Sequence, residues 1–181
     1  RTTFFIVSDH GFKAYTKQIR PAAALAAAGL AESTFVLSEG GTAYLYLDRA
    51  RAAELAPKAR AALQGVEGID RIIGPEGFAA LGLAQPEDEP QMYHLLLTAK
   101  DDYSFSGATG GPVTAAMPQR AGSHGYLASD PDMDAIFIAS GFGVRPGVKL
   151  DKVSNLDVAP TIANLLGVSL PSAIAKPIRL Q

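Results

Sequence analysis

The sequence predicts an α/β fold: a mostly parallel sheet flanked by helices, carrying a small inserted α+β subdomain. Three observations predict it. Two apolar runs, TTFFIV (2–7) and DAIFIASG (134–141), lack alternation and so read as strands buried on both faces, as in a parallel sheet. Between them, segments of helical and strand character take turns. A polar, turn-rich link, QPEDEP (85–90), closes off a compact run of elements. The core is therefore expected over residues 1–41 and 91–181, with the insert over residues 42–90.

Each element follows from local chemistry. Thr2 to Val7 is a β-branched and aromatic run broken at Gly11. QIRPAAALAAAGL reads as a helix opening near Pro21 and closing at Gly29, since proline suits a helix start and glycine its end. STFVLSEGG reads as a short strand and turn. Thr42 to Asp48 (TAYLYLD) is a strand, and Arg49 to Gly65 a helix kinked at Pro57. IDRIIG and PEGFAALGL add a strand and a short helix, so that 42–83 reads as a small βαβα unit. MYHLLLTA is a further strand. The stretch from Lys100 to Gly125 has no steady period and many glycines, so it reads as a long loop with room for a hairpin, and loops of that length tend to carry function. SNLDVAPTIANLLG is a helix with Asn155 or Asp157 as its cap and Gly167 at its end.

Composition excludes several classes. The chain has 181 residues with a net charge of −2 and no long basic run, so a charged nucleic-acid face is not expected. No apolar run approaches the ~18 residues that span a bilayer. There is no cysteine, which removes disulfides, thiolate nucleophiles and thiolate zinc sites. A transition-metal site would have to draw on carboxylates and three histidines, His10, His94 and His124. The chain opens on Arg1 within two residues of a strand, and is expected to be a fragment or a trimmed chain.

Two stretches carry candidate chemistry. Ser8-Asp9-His10-Gly11 places a carboxylate beside an imidazole where the first strand ends. Neighbouring strand residues point to opposite faces, so both can reach one ion only where the backbone turns, as Gly11 permits. Such a pair suits zinc or a similar divalent ion; a turn aspartate beside a surface histidine is the competing reading. His124 lies in AGSHGY, where flanking glycines would let one side chain enter a crowded site or simply form a surface turn. His94, inside an apolar strand, reads as a packed or surface residue. GFGVRPG lacks the third glycine and the helix of a dinucleotide fingerprint, and no G-x-S-x-G elbow occurs. GATGG (107–111) has no Lys-Ser/Thr after it to make a phosphate loop, and Lys100, Asp101 and Asp102 read as a solvated turn.

In order along the chain, FFIVSDHG, AGSHGY, DAIFIASG and SNLDVAPTIANLLGVSLP resemble the C-terminal half of alkaline phosphatase superfamily enzymes. The resemblance is to the type I phosphodiesterase and nucleotide pyrophosphatase family, whose motifs are S-D-H-G-M, G-x-H-G-Y, a strand ending in small residues, and D-x-x-P-T-x-x-x-L-L-G. It implies two divalent ions, zinc with manganese or magnesium as alternatives. Asp9 and His10 would hold one and His124 the other. It implies displacement at phosphorus through a covalent phospho-enzyme, on a small-molecule phosphate ester or nucleotide. Relatives are often exported, which leans the compartment outward.

The resemblance also implies what this segment lacks. The family's Thr or Ser nucleophile, an early metal-binding Asp and a further Asp-His set precede S-D-H-G, and here only eight residues precede Asp9. Two catalytic zinc ions take on the order of six protein ligands, and three are nominated. The chain is thus expected to be about half of a phosphodiesterase or pyrophosphatase site, inactive alone. A phosphomonoesterase, phosphomutase or sulfatase of the same superfamily, or a non-catalytic degenerate domain, are the alternatives. Phe12 stands where the family often has Met, a difference expected to affect packing only.

Overall fold

The computed structural model describes residues 1–180. In chain order the elements are β1 (Thr3–Val7), β2 (Lys13–Ile19), α1 (Pro21–Ala27), β3 (Thr34–Glu39), β4 (Thr42–Leu47), α2 (Ala52–Leu63), β5 (Ile69–Ile73), α3 (Pro75–Phe78), β6 (Leu95–Ala99), β7 (Asp102–Phe105), β8 (Thr114–Ser123), β9 (Phe137–Gly141) and α4 (Val158–Leu166). They fall into two compact units: a smaller one of Arg1–Gly11 with the chain from Asp134 onward, and a larger one, Phe12–Met133.

In the smaller unit β1 and β9 form a two-stranded antiparallel sheet, in register from Thr3↔Gly141 to Val7↔Phe137. Phe5 and Phe137 pack with ring centroids 5.9 Å apart. The expectation of parallel strands buried on both faces is overturned: the pair is antiparallel, and no residue of either strand is buried. Phe4 is 65 % and Ile138 53 % exposed. A run without alternation says that both faces are apolar; it does not set strand direction.

Helix α4 is entered through a single 3-10 turn, Asn155–Asp157. Asp157, one of the two expected caps, is the residue that precedes the α-helix, but the side-chain cap is made at the head of the 3-10 turn, by Ser154. Ser154 Oγ accepts from the Leu156 N–H, and the Asp157 carboxylate accepts from the Ser154 N–H, a reciprocal capping box. Pro160 lies in the first turn and Gly167 ends the helix in a left-handed conformation, φ 68°.

The larger unit holds the hydrophobic core. One sheet runs β3-β4-β6-β5, antiparallel throughout. Because β4 and β5 both run against β6, the β4–α2–β5 unit is split, with β6 inserted where the expected βαβα unit had adjacent strands. Helix α2 offers Leu55, Ala59 and Leu63 at i, i+4, i+8, all buried against Ala43, Leu45, Leu97 and Ile69. Pro57 forgoes one backbone bond without ending the helix.

A second sheet, β7-β2-β8, supplies the one parallel pair among the described residues, β2 with β7. The fold is therefore mixed α/β with small, mostly antiparallel sheets of two, three and four strands, not a mostly parallel sheet. The expected long loop after Lys100 is largely strand, β7 and β8. Pairing shifts from Tyr15↔Ala121 to Lys17↔Ala116, so residues 117–120 bulge out of the ladder. Pro118, which has no N–H to give, sits within that bulge.

Candidate metal centre

The Asp9-His10 corner is built by the smaller unit. Ser8 prolongs β1 by one step: its N–H donates to the Ile136 carbonyl at 3.3 Å and its Oγ accepts from the Ile136 N–H at 3.0 Å. The chain then turns. The Asp9 carbonyl is held by Asn155 Nδ2 at 3.1 Å, just ahead of α4, and the Asp9 carboxylate accepts from the His10 N–H at 3.1 Å.

His10 Nδ1 lies 2.9 Å from the Gly11 carbonyl oxygen. A carbonyl can only accept, so Nδ1 carries a proton, and in the neutral ring Nε2 is the nitrogen left with a lone pair. His10 Nε2 and Asp9 Oδ2 are 3.5 Å apart. Two donors bound to one tetrahedral zinc at ~2.0–2.1 Å stand roughly 3.3 Å from each other. The pair thus matches one edge of a zinc coordination shell in donor type, tautomer and spacing.

His124 follows the last residue of β8, in the larger unit. Its carbonyl accepts from the Gly41 N–H at 2.9 Å, and Phe12 meets its ring edge-on, with centroids 5.7 Å apart. Two residues on, the Tyr126 hydroxyl donates to the Tyr103 carbonyl at 2.7 Å. Burial pushes the Tyr126 phenol up to about 12, against the opposing pull of Lys13, so it remains a donor.

His94 has a different role. Its Nδ1 accepts from the Leu47 N–H at 3.1 Å and its own N–H donates to the Leu45 carbonyl at 2.9 Å, tying the segment before β6 to β4. Burial, with a smaller push from Arg49, lowers its pKa and holds the ring neutral.

Lys100, Asp101 and Asp102 do more than form a solvated turn. Asp101 pairs with Lys13 at 2.6 Å, and Asp102, at φ 69°, accepts from Thr16 Oγ1 at 2.6 Å as it opens β7. The Lys13 cluster escaped sequence reasoning. Its ammonium also reaches Asp130 at 2.6 Å, and a cleft of about 670 Å³ opens beside it, lined by Tyr126, Asp130, Thr98 and Lys100. The only signal was a lysine two residues after Gly11, and its acidic partners lie 88 and 117 residues away.

Among the described residues no group of three or more His, Asp or Glu side chains is placed to hold a metal ion. Carboxylate and imidazole are donor types that divalent zinc takes.

No protein-family model and no curated protein matches the chain by sequence. Solved structures do match by fold. Human ectonucleotide pyrophosphatase/phosphodiesterase 5 superposes with a TM-score of 0.69 at 16 % identity, over 96 % of this chain and 42 % of that one. An inactive murine form of the same enzyme, solved in complex with AMP, gives 0.68 at 16 % identity, with coverage of 96 % and 42 %. A phosphonoacetate hydrolase from Sinorhizobium meliloti 1021, in complex with phosphonoformate, gives 0.52 at 20 % identity, over 81 % of this chain and 37 % of that one. The chain shares the fold of the matching parts of these proteins and spans less than half their length.

Proposed function

We propose that this chain is the C-terminal portion of a metal-dependent hydrolase of phosphate diesters or nucleotide pyrophosphates. In this reading Asp9 and His10 hold one divalent ion and His124 contributes to the second. When bound, the ions would polarise the phosphoryl group and stabilise the charge that develops on its oxygens. The chain's own residues prepare the first site. The Gly11 carbonyl fixes the His10 tautomer, and Ser8 and Asn155 fix the backbone that carries Asp9. In this reading the nucleophile and the remaining ligands are not among these 181 residues, and the chain alone does not turn over substrate.

The observation that carries this reading is the 3.5 Å pairing of His10 Nε2 with Asp9 Oδ2, with Nδ1 already given to Gly11. The fold likeness supports it, as does the exposed apolar sheet of β1 and β9, which in this reading the rest of the protein covers. Hydrolysis of an aryl phosphodiester with added Zn²⁺ tests it. The 181-residue chain should show no turnover and a longer protein containing it should turn over. Robust turnover by the 181-residue chain refutes the reading of it as half a site.

The likeness to a phosphonoacetate hydrolase favours one second reading, the same kind of site acting on another phosphorus substrate. Relative rates of the longer protein on an aryl diester, an aryl monoester and a phosphonate separate the two.

A further inference from the structure

We infer that the Gly40-Gly41 turn, together with Phe12, forms a seat that positions His124. The inference rests on the reading of His124 as a metal ligand and goes beyond it by naming what aims the side chain. A ligand flanked by Gly122 and Gly125 has no stiffness of its own. The larger unit supplies stiffness by interlocking two turns.

Three backbone polar groups at the centre of the β3–β4 turn are engaged. The Gly41 N–H donates to the His124 carbonyl at 2.9 Å, the Gly40 carbonyl accepts from Phe105 at 2.6 Å, and the Gly41 carbonyl accepts from Ala99 at 2.9 Å. The fit is close enough to require glycine on both sides. A Cβ at Gly40 would overlap the His124 carbonyl and Ser123 Oγ; one at Gly125 would overlap the Glu39 carbonyl. A Cβ at Gly41 would enter the Tyr126 ring, whose hydroxyl is anchored on Tyr103. Backbone and neighbour are thereby fixed. Phe12 acts on the imidazole itself, edge to face at 5.7 Å with an interplanar angle of 74°. Phe12 is 66 % exposed, so burial gives little reason for an aromatic ring there, and its contact with the imidazole supplies one.

The test follows the His124 ring by ¹³C relaxation at Cε1 in the wild type, F12A and G41A, with Zn²⁺ affinity measured on the same proteins and on H124A. The wild-type ring should be as ordered as a rigid backbone, with an order parameter of about 0.85, and should fall below about 0.6 in F12A and in G41A. F12A changes an exposed side chain and should keep the wild-type melting temperature, so it decides the matter even where G41A fails to fold. Zn²⁺ affinity should drop roughly 10-fold or more in F12A, as for other residues that orient a ligand, and in H124A as well. A ring equally ordered in the wild type and F12A, or mobile in the wild type, overturns the seat. Ring order lost in F12A while H124A binds Zn²⁺ like the wild type overturns the metal reading and leaves the seat standing.

Discussion

Lys13 Nζ lies 2.6 Å from Asp130 Oδ2, and the two side chains are only 14 % and 18 % exposed. The pair joins β2 to the turn after β8, and Asp101 adds a second carboxylate from the β6–β7 turn at 2.6 Å. Hydrogen bonds that Lys13 donates to both carboxylates hold its ammonium above the ordinary pKa. Burial alone would raise the Asp130 pKa; the Lys13 and Asp132 hydrogen bonds outweigh it and hold the carboxyl below the usual range. Removing Lys13 strands the poorly solvated Asp130 carboxylate, whereas removing Asp130 leaves Lys13 paired with Asp101. K13M should therefore cost about 1–3 kcal/mol in chemical denaturation, and D130A less. The pair K13M/D130A should cost less than the sum of its single changes, because the double variant leaves no orphan. Strict additivity would show that the contact carries no coupling.

His94 should give the chain a pH-dependent stability near neutrality. Its folded pKa lies below the ordinary 6.5, because burial and Arg49 oppose the charged ring. The unfolded chain then takes up the proton first as pH falls, so this contribution is complete above about 6.5 and is lost on acidification towards the folded pKa. Asparagine at this position keeps an acceptor for the Leu47 N–H and cannot titrate. Melting temperatures at pH 7.5 and 5.5 should differ less for H94N than for the wild type, and an equal difference would remove His94 as the cause.

The hydrophobic core lies in the larger unit, and the two units should respond unequally to truncation in the 181-residue chain. Leu97 is fully buried in the middle of the four-stranded sheet, and L97A should cost about 2–5 kcal/mol. Ile138, exposed on β9, should cost less than about 0.5 kcal/mol as I138A. Urea denaturation of the two variants checks this, and a large loss in I138A would contradict the placement of the core.

The His10 tautomer is directly observable. Long-range ¹H–¹⁵N correlation of the His10 ring at pH 8 should show Nδ1 protonated and Nε2 unprotonated, because Nδ1 faces the Gly11 carbonyl at 2.9 Å. The reverse tautomer would contradict the arrangement from which the metal corner is argued.

What could be read in the sequence and what could not divide along physical lines. Helices with proline at the start and glycine at the end, α1 and α4, were legible because caps are local chemistry. The strands β1 and β9 were legible as strands, but their direction and burial depend on neighbours that an apolar run does not name. Strand β2, KAYTKQI, went unseen because only Tyr15 and Ile19 are buried and polar residues separate them. In β8 a bulge around Pro118 hid the period that pairing would have imposed. Asp9, His10 and His124 stood out as residue types able to bind metal. The grip of Gly40-Gly41 on His124 joins positions about 80 residues apart through backbone atoms, and a single sequence carries no trace of it.

The central claim is that Asp9 and His10 form one corner of a two-metal site completed outside this segment. Zinc content per chain, measured by mass spectrometry on a longer protein that contains these 181 residues, tests it most directly. The account predicts two zinc ions in the wild type and the loss of one in His10→Ala. Two ions retained in His10→Ala, or none bound by the wild type, would contradict it.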